Sequence, residues 1–126
     1  VCKPNRKGAI KSGIDMAYDI ITPTKLGQAA ITTGVTTLYT VPADTRTFFK
    51  EFTIANTTAA AINVRLFLVP SAGSAATSNA FIYDISVPAN NALQYDGVQI
   101  INAGDTVQIQ AASTGLTITA SGAEAT

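Results

Sequence analysis

The sequence predicts an all-β protein: an antiparallel β-sandwich of jelly-roll or immunoglobulin-like topology, with about eight strands and an extended basic N-terminal arm. Apolar and polar side chains alternate with a period of two over most of the chain after Gln28. Turn-forming residues recur at intervals of roughly ten residues, and no helical pattern that could carry parallel crossovers lies between them. We therefore expect an arm over residues 1–27 and one sandwich domain over residues 28–126.

The composition fits one domain with a surface poor in charge. The chain has 126 residues, of which 47% are hydrophobic and only 13% are charged. Such a surface is kept in solution by Thr, Ser, Asn and Gln, or a partner covers part of it. Cys2 is the only cysteine, so no disulfide can form within the chain and the core alone must hold the fold.

The sandwich is organised around residues 47–70, two strand-like runs on either side of a polar turn that begins at Asn56. We predict a β-hairpin with one apolar face that the other strands cover. Its inward positions are Phe48, Phe52 and Ile54 in the first run and Ile62, Val64, Leu66 and Leu68 in the second. Three apolar side chains fall on the outward parity and form a candidate subunit interface, or else a second core layer under the N-terminal segment: Phe49, Phe67 and Val69.

Further strands follow the central pair. An inward row is predicted for one of them at Phe81, Tyr83, Ile85 and Val87. Gly97 predicts a bulge after which Val98 and Ile100 continue the inward row of the next strand. Strong turn signals lie at residues 42–44, 88–91 and 102–105.

The N-terminal segment is basic, whereas the rest of the chain is mildly acidic. Five basic and two acidic residues give residues 1–25 a net charge of +3, and three basic and six acidic residues give the remainder −3. Residues 1–13 suit an extended arm, and residues 14–21 suit a helix, an edge strand or a draped segment that ends before Pro23. The arm either docks on an acidic surface or is a solvated terminus. Its candidate partner-binding residues are Lys3, Arg6, Lys7, Lys11, Met16, Tyr18, Ile20 and Ile21.

The residue types argue against catalysis. The chain has no histidine, which removes the commonest general base and metal ligand. Asp44, Asp96 and Asp105 lie in or beside turns, where aspartate usually binds its own backbone, and Glu51 and Asp84 are expected to be solvated. We expect no enzyme, cofactor, metal, nucleic acid or membrane, although a glycosidase with two paired carboxylates remains a distant alternative.

Residues from about Thr32 to the end, roughly three-quarters of the chain, resemble small β-sandwich proteins of tailed-bacteriophage virions. The resemblance is carried by ITTGVTTLYTVPADTRTFFKEFTIANTTAAAINVRLFLVPSAG, ISVPANNALQYDG and NAGDTVQIQAASTGLTITASGAE. It implies a capsid decoration or cement protein on the capsid surface, with the major capsid protein as partner and a homo-oligomer, a trimer being favoured. The alternative is a tail or head-fibre module that binds carbohydrate on the host surface.

Overall fold

The computed structural model describes residues 20–126, which form eight strands and one short 3-10 helix. The helix spans Thr77–Asn79. The strands are Ile21–Ile31 (β1), Thr36–Thr40 (β2), Arg46–Asn56 (β3), Ile62–Val69 (β4), Ala80–Val87 (β5), Asn91–Ile101 (β6), Thr106–Ala111 (β7) and Leu116–Ala125 (β8).

The strands form two four-stranded antiparallel sheets, ordered β1-β8-β3-β6 and β2-β7-β4-β5. Except between β4 and β5, each strand is followed by one in the opposite sheet. This is the strand order of a jelly roll, so the predicted all-β sandwich is confirmed and the immunoglobulin-like alternative is excluded. We call the first sheet the β8 sheet and the second the β7 sheet.

The predicted central hairpin is wrong, because β3 and β4 lie in different sheets. β3 pairs with β6 and β8, and β4 pairs with β5 and β7. The side chain of Asn56 explains the crossing: it is 2% exposed and its amide donates to the carbonyls of Ala60 (2.8 Å) and Val87 (3.0 Å). The chain therefore arches from one sheet to the other, and the apolar rows of both strands enter one core.

A β-bulge at Lys50 overturns the expected orientation of Phe49. Phe49 pairs with Gly122 and Glu51 with Ser121, so Lys50 is an extra residue on β3. The extra residue shifts the alternation, and Phe49 instead of Phe48 enters the core. Phe49 is 0% exposed and stacks on Phe52 with 6.0 Å between ring centroids.

Phe67 and Val69 lie on the face of β4 away from the core, as predicted, but they are only 4% and 1% exposed, so none of the three residues predicted as a subunit interface is accessible. The connection after β4 covers this part of the strand: the 3-10 helix contacts β4, and a Cβ added to Gly73 would lie 3.5 Å from Val69 Cγ1. A second core layer therefore covers Val69. Among the described residues, the one that lies over Val69 is Gly73 of this loop and not a residue of the N-terminal segment. Burial within the chain removes the argument for a subunit contact.

The rows predicted for β5 and β6 were correct only in part. In β5, Val87 is buried and Phe81 packs against the core as predicted, whereas the bulge that places Tyr83 and Asp84 opposite Arg65 leaves Tyr83 45% exposed. Ile85 is the register partner of the buried Val64 but is 42% exposed on this edge strand. Gly97 does lie at a register shift, as predicted, but the alternation runs on through Gln99 and Ile101. The exposed side chains are therefore those of Val98 (54%) and Ile100 (51%).

The boundary between arm and sandwich lies earlier than predicted. β1 begins at Ile21 and already contributes Leu26, 5% exposed, to the core. Pro23 lies within β1 instead of ending the segment, because β1 is an edge strand and one side of an edge needs no N–H donor. Lys3, Arg6, Lys7, Lys11, Met16 and Tyr18 lie outside the described residues.

Hydrogen bonds between connections tie the two sheets together at both ends of the sandwich. At one end Val41 N–H donates to Asp105 O (2.9 Å) and Gly104 N–H to Val41 O (3.0 Å). At the other end Asn90 N–H donates to Thr58 O at 3.0 Å. These contacts lie in the V-P-A, N-A-G-D-T, V-P-A-N and I-A-N-T-T turns, so motifs that carry the virion resemblance join the connections at both ends of the sandwich.

Candidate interaction surfaces

The outer face of the β8 sheet carries apolar side chains at one end. We define the apolar patch as Ile21 and Pro23 of β1, Phe48 of β3, and Val98 and Ile100 of β6. Phe48 is the register partner of both Ile100 and Ala123, and Ala123 is the partner of Pro23, so one apolar row crosses all four strands. Ile21, Val98 and Ile100 are each more than half exposed, at 58%, 54% and 51%. Side chains this apolar on an exposed sheet face indicate a contact surface.

The surroundings of the apolar patch are charged and polar. Lys25 and Lys50, both exposed, border it on β1 and β3. Further along the same face, Glu51 and Asp96 are register partners, and they line a shallow depression with Gln94. The face is thus divided into an apolar end with basic neighbours and an acidic, polar remainder.

The apolar patch lies at the end of the sandwich where the N-terminal segment joins. Ile20 N–H donates to Thr126 O (3.1 Å) and Thr126 N–H donates to Ile20 O (2.8 Å), which extends the pairing of β1 with β8 by one step. Ile20 and Ile21, both predicted partner-binding residues, are 63% and 58% exposed. The structure therefore places Ile21 in the apolar patch and Ile20 directly before it in the chain.

A second surface lies on the β7 sheet, at the bulge of edge strand β5. Arg65 binds the Asp84 carboxylate through Nε (2.6 Å) and Nη2 (3.1 Å), and its guanidinium lies 4.2 Å from the centre of the Tyr83 ring. Asp84 has φ +55°, a left-handed conformation uncommon for a residue other than glycine. The hydrogen bonds from Arg65 lower the pKa of Asp84. Asp84 is exposed to solvent as predicted, with 45% of its side chain accessible, and it is also the charged partner of Arg65. A cleft of about 240 Å³ beside the pair is also lined by Asn63 and Gln110.

A half-buried cluster of polar side chains lies near the end of the sandwich where β1 begins and β8 ends. The Tyr39 hydroxyl donates to the Glu124 carboxylate and lies 2.8 Å from Thr47 Oγ1. Burial and the Glu124 carboxylate raise the pKa of Tyr39 to about 12. The phenol is therefore a neutral donor that stabilises the sandwich.

The predicted turn role of Asp105 is confirmed. Its carboxylate accepts hydrogen bonds from the Ser71 and Asn102 N–H groups, both at 3.0 Å. Within residues 20–126, no three His, Cys, Asp or Glu side chains lie close enough to hold a metal ion. Over the same residues, no helix is long and apolar enough to cross a membrane.

Sequence reasoning missed both the apolar patch and the Arg65 cluster. The patch residues Val98 and Ile100 were placed in the core, because Gly97 was predicted to change the alternation, whereas the alternation continues unchanged through Gln99 and Ile101. The Arg65 cluster was missed because Tyr83 and Asp84 include no glycine that would indicate a bulge. The bulge depends instead on how β5 pairs with the neighbouring strand β4.

No protein-family model and no curated protein match the sequence. Among solved structures, the chain is similar to a chain of the T13 particle of infectious bursal disease virus, at 11% identity and a TM-score of 0.44, covering 84% of this chain and 30% of that one. It is also similar to a chain of the Gx strain (12% identity, TM-score 0.39, 84% and 32% covered). A chain of the Gt strain matches at 12% identity and a TM-score of 0.36, with 99% and 35% covered. The chain thus spans about a third of the length of those chains, and matches at this level assign neither function nor partner.

Proposed function

We propose that this chain is a structural protein of a virus particle, and specifically a decoration protein of a tailed-bacteriophage capsid. It binds the shell of the major capsid protein and stabilises it, with the N-terminal arm docking on neighbouring subunits. The observation that carries the proposal is a jelly roll with an apolar patch on its outer sheet face, at the end where the arm joins.

The fold and the sequence resemblance support a structural role. Jelly rolls form viral capsid domains as well as lectin and cupin domains. The turn motifs of the resemblance lie in the connections that close this jelly roll, so the resemblance and the fold are consistent with each other. The function that the resemblance implies is assembly on the particle surface.

The distribution of side chains also supports assembly. A decoration protein adds contact area across shell subunits, and an arm that becomes ordered on a neighbour gives a wide footprint from a small domain. The basic residues of the arm suit an acidic acceptor surface. The apolar patch supplies a second contact that a lone domain would leave in water.

Co-sedimentation with phage heads that lack this protein tests the proposal. The full chain is expected to pellet with the heads up to a saturating stoichiometry. A variant lacking residues 1–19 keeps β1 intact and should unfold cooperatively like the full chain but stay in the supernatant. Failure of the full chain to bind would overturn the decoration function, and undiminished binding by the shortened variant would overturn the role of the arm.

The Arg65 cluster favours a second candidate, a tail or head-fibre module that binds carbohydrate on the host surface. Its cleft is lined by the Arg65–Asp84 pair and by the amides of Asn63 and Gln110, and the exposed Tyr83 ring packs on Arg65 outside that lining. Such groups bind sugar hydroxyls and stack on sugar rings. Binding to a glycan panel that is lost in Tyr83→Ala, with no binding to undecorated heads, would favour this candidate over decoration.

A further inference from the structure

We propose that residues 14–18 of one copy of this chain dock as an extended segment on the apolar patch of a second copy. The inference rests on the proposed function, because it gives the arm of an assembly protein a defined acceptor. It names a homotypic contact in addition to contacts with the shell. It can be tested on the purified protein without capsids, so its failure is distinguishable from a failure of the decoration function.

The apolar patch, which is the proposed acceptor, exposes large apolar side chains to water in a single copy. Ile21, Val98 and Ile100 expose more than half of their side chains, and the row through Phe48 makes them continuous across the sheet. The row extends over three gaps between neighbouring strands, or about 14 Å. An extended segment of about five residues spans this distance.

The sequence just before Ile20 has the matching pattern. Ile14, Met16 and Tyr18 alternate with Asp15 and Asp19, so in an extended conformation they share one apolar face. The two acids then lie on the opposite face.

The charges of segment and patch are complementary. Two exposed lysines border the apolar patch: Lys25, whose amine donates to Gln28 Oε1 at 2.9 Å, and Lys50, which lines a shallow depression with Glu51 and Asp96. Exposed contacts of this kind are weak, and long lysine side chains can exchange them for carboxylates on the solvent side of a docked segment. The apolar end of the β8 sheet therefore suits residues 14–18 better than it suits the basic residues of the arm.

The direction of the chain favours a second copy as the source of the segment. The hydrogen bonds between Ile20 and Thr126 keep β1 extended up to the edge of the domain. No glycine or proline lies between Gly13 and Pro23, so a tight reversal onto the same sheet face would have to use the residues that dock. An extended path of six residues would instead reach about 20 Å beyond the sheet. Head-to-tail exchange of this kind forms a ring when the rotation between copies closes, as in the trimer expected from the resemblance, and an open filament when it does not.

Mixing two single-cysteine proteins tests the contact directly. In a Cys2→Ser background, full-length protein carrying Met16→Cys is mixed with protein carrying Ile100→Cys and oxidised mildly. We expect a disulfide-linked heterodimer on a non-reducing gel. The matched control replaces Ile100→Cys with Gln94→Cys, an exposed position at the polar end of the same strand, and should give little heterodimer.

Sedimentation of the full chain gives an independent readout. Ile100→Ser should weaken self-association by about 10- to 100-fold, since it removes one large apolar side chain from the contact. Ile85→Ser, 42% exposed on the other sheet, should leave self-association unchanged. Three results would each overturn the inference. The first is a full chain that sediments as a monomer, and the second is an equal heterodimer yield with Ile100→Cys and Gln94→Cys. The third is cross-linking only within one chain when Met16→Cys and Ile100→Cys are in the same protein.

Discussion

Replacing Asn56 by alanine should destabilise the jelly roll more than any other substitution of an amide side chain in its turns. Asn56 is 2% exposed and makes four hydrogen bonds: its amide donates to the carbonyls of Ala60 and Val87, and its Oδ1 accepts from the Thr58 N–H (2.9 Å) and hydroxyl (2.7 Å). Each such bond contributes about 1 kcal/mol net, and the buried Val87 carbonyl would lose a donor. We expect a loss of about 2–4 kcal/mol in the free energy of unfolding.

Urea denaturation followed by far-UV circular dichroism measures this loss. Asn91→Ala is the control, because Asn91 is the register partner of Asn56 but is exposed, and it should cost no more than about 0.5 kcal/mol. A loss below about 1 kcal/mol for Asn56→Ala would refute the reasoning that this side chain fixes the crossing between sheets.

Asn56→Asp sharpens the test through its pH dependence. The carboxylate would face the two carbonyl oxygens that now accept from the amide, which raises its folded pKa above the unfolded value of about 3.9. Stability should therefore be greatest below that value, where the protonated carboxyl can donate, and should fall as the pH rises through the folded pKa. If the difference in unfolding free energy between Asn56→Asp and the parent chain did not change with pH, that result would contradict the buried contact.

Three further substitutions have expected outcomes. Gly122→Ala should destabilise the β8 sheet strongly, seen as a lower urea midpoint, because the added Cβ would clash with the Phe48 carbonyl oxygen; an unchanged midpoint would contradict the register. Tyr39→Phe should cost about 1–2 kcal/mol by losing the hydrogen bond to Glu124. The parent chain, but not this variant, should lose the corresponding stability as the pH rises from 10 through about 12, where the phenol ionises. Asp84→Asn should be less stable than the parent at neutral pH, and the difference should vanish as the pH falls through the lowered pKa of Asp84; a difference that persists in acid would exclude the ion pair as its cause.

The sequence predicted the strands and turns well because both depend on local chemistry. The turn role of Asp105 and the register shift at Gly97 are two such features. The pairing of strands was not predictable in the same way: the polar turn at Asn56 is compatible with a hairpin, and only its buried contact with β5 makes it a crossing. The bulge at Lys50 likewise depends on the spacing of neighbouring strands, and it reversed the orientation of Phe49.

The candidate interaction surface contains residues that the sequence marked for partner binding and residues that it assigned to the core. Ile20 and Ile21 were identified from their apolar character in a polar segment, and both are exposed where the arm joins. Val98 and Ile100 were assigned to the core, since Gly97 was predicted to change the alternation; whether a register shift does so depends on the pairing with the neighbouring strand β3. The patch emerges only when β1, β3 and β6 are brought side by side.

Imaging of intact phage particles at a resolution that traces this chain tests the decoration function most directly. We predict jelly-roll density repeated over the outer shell with the symmetry of the capsid. Residues 1–19 should contact shell subunits or neighbouring copies in that density. Jelly-roll density confined to the tail or head fibres, or its absence from the particle, would contradict the proposed function.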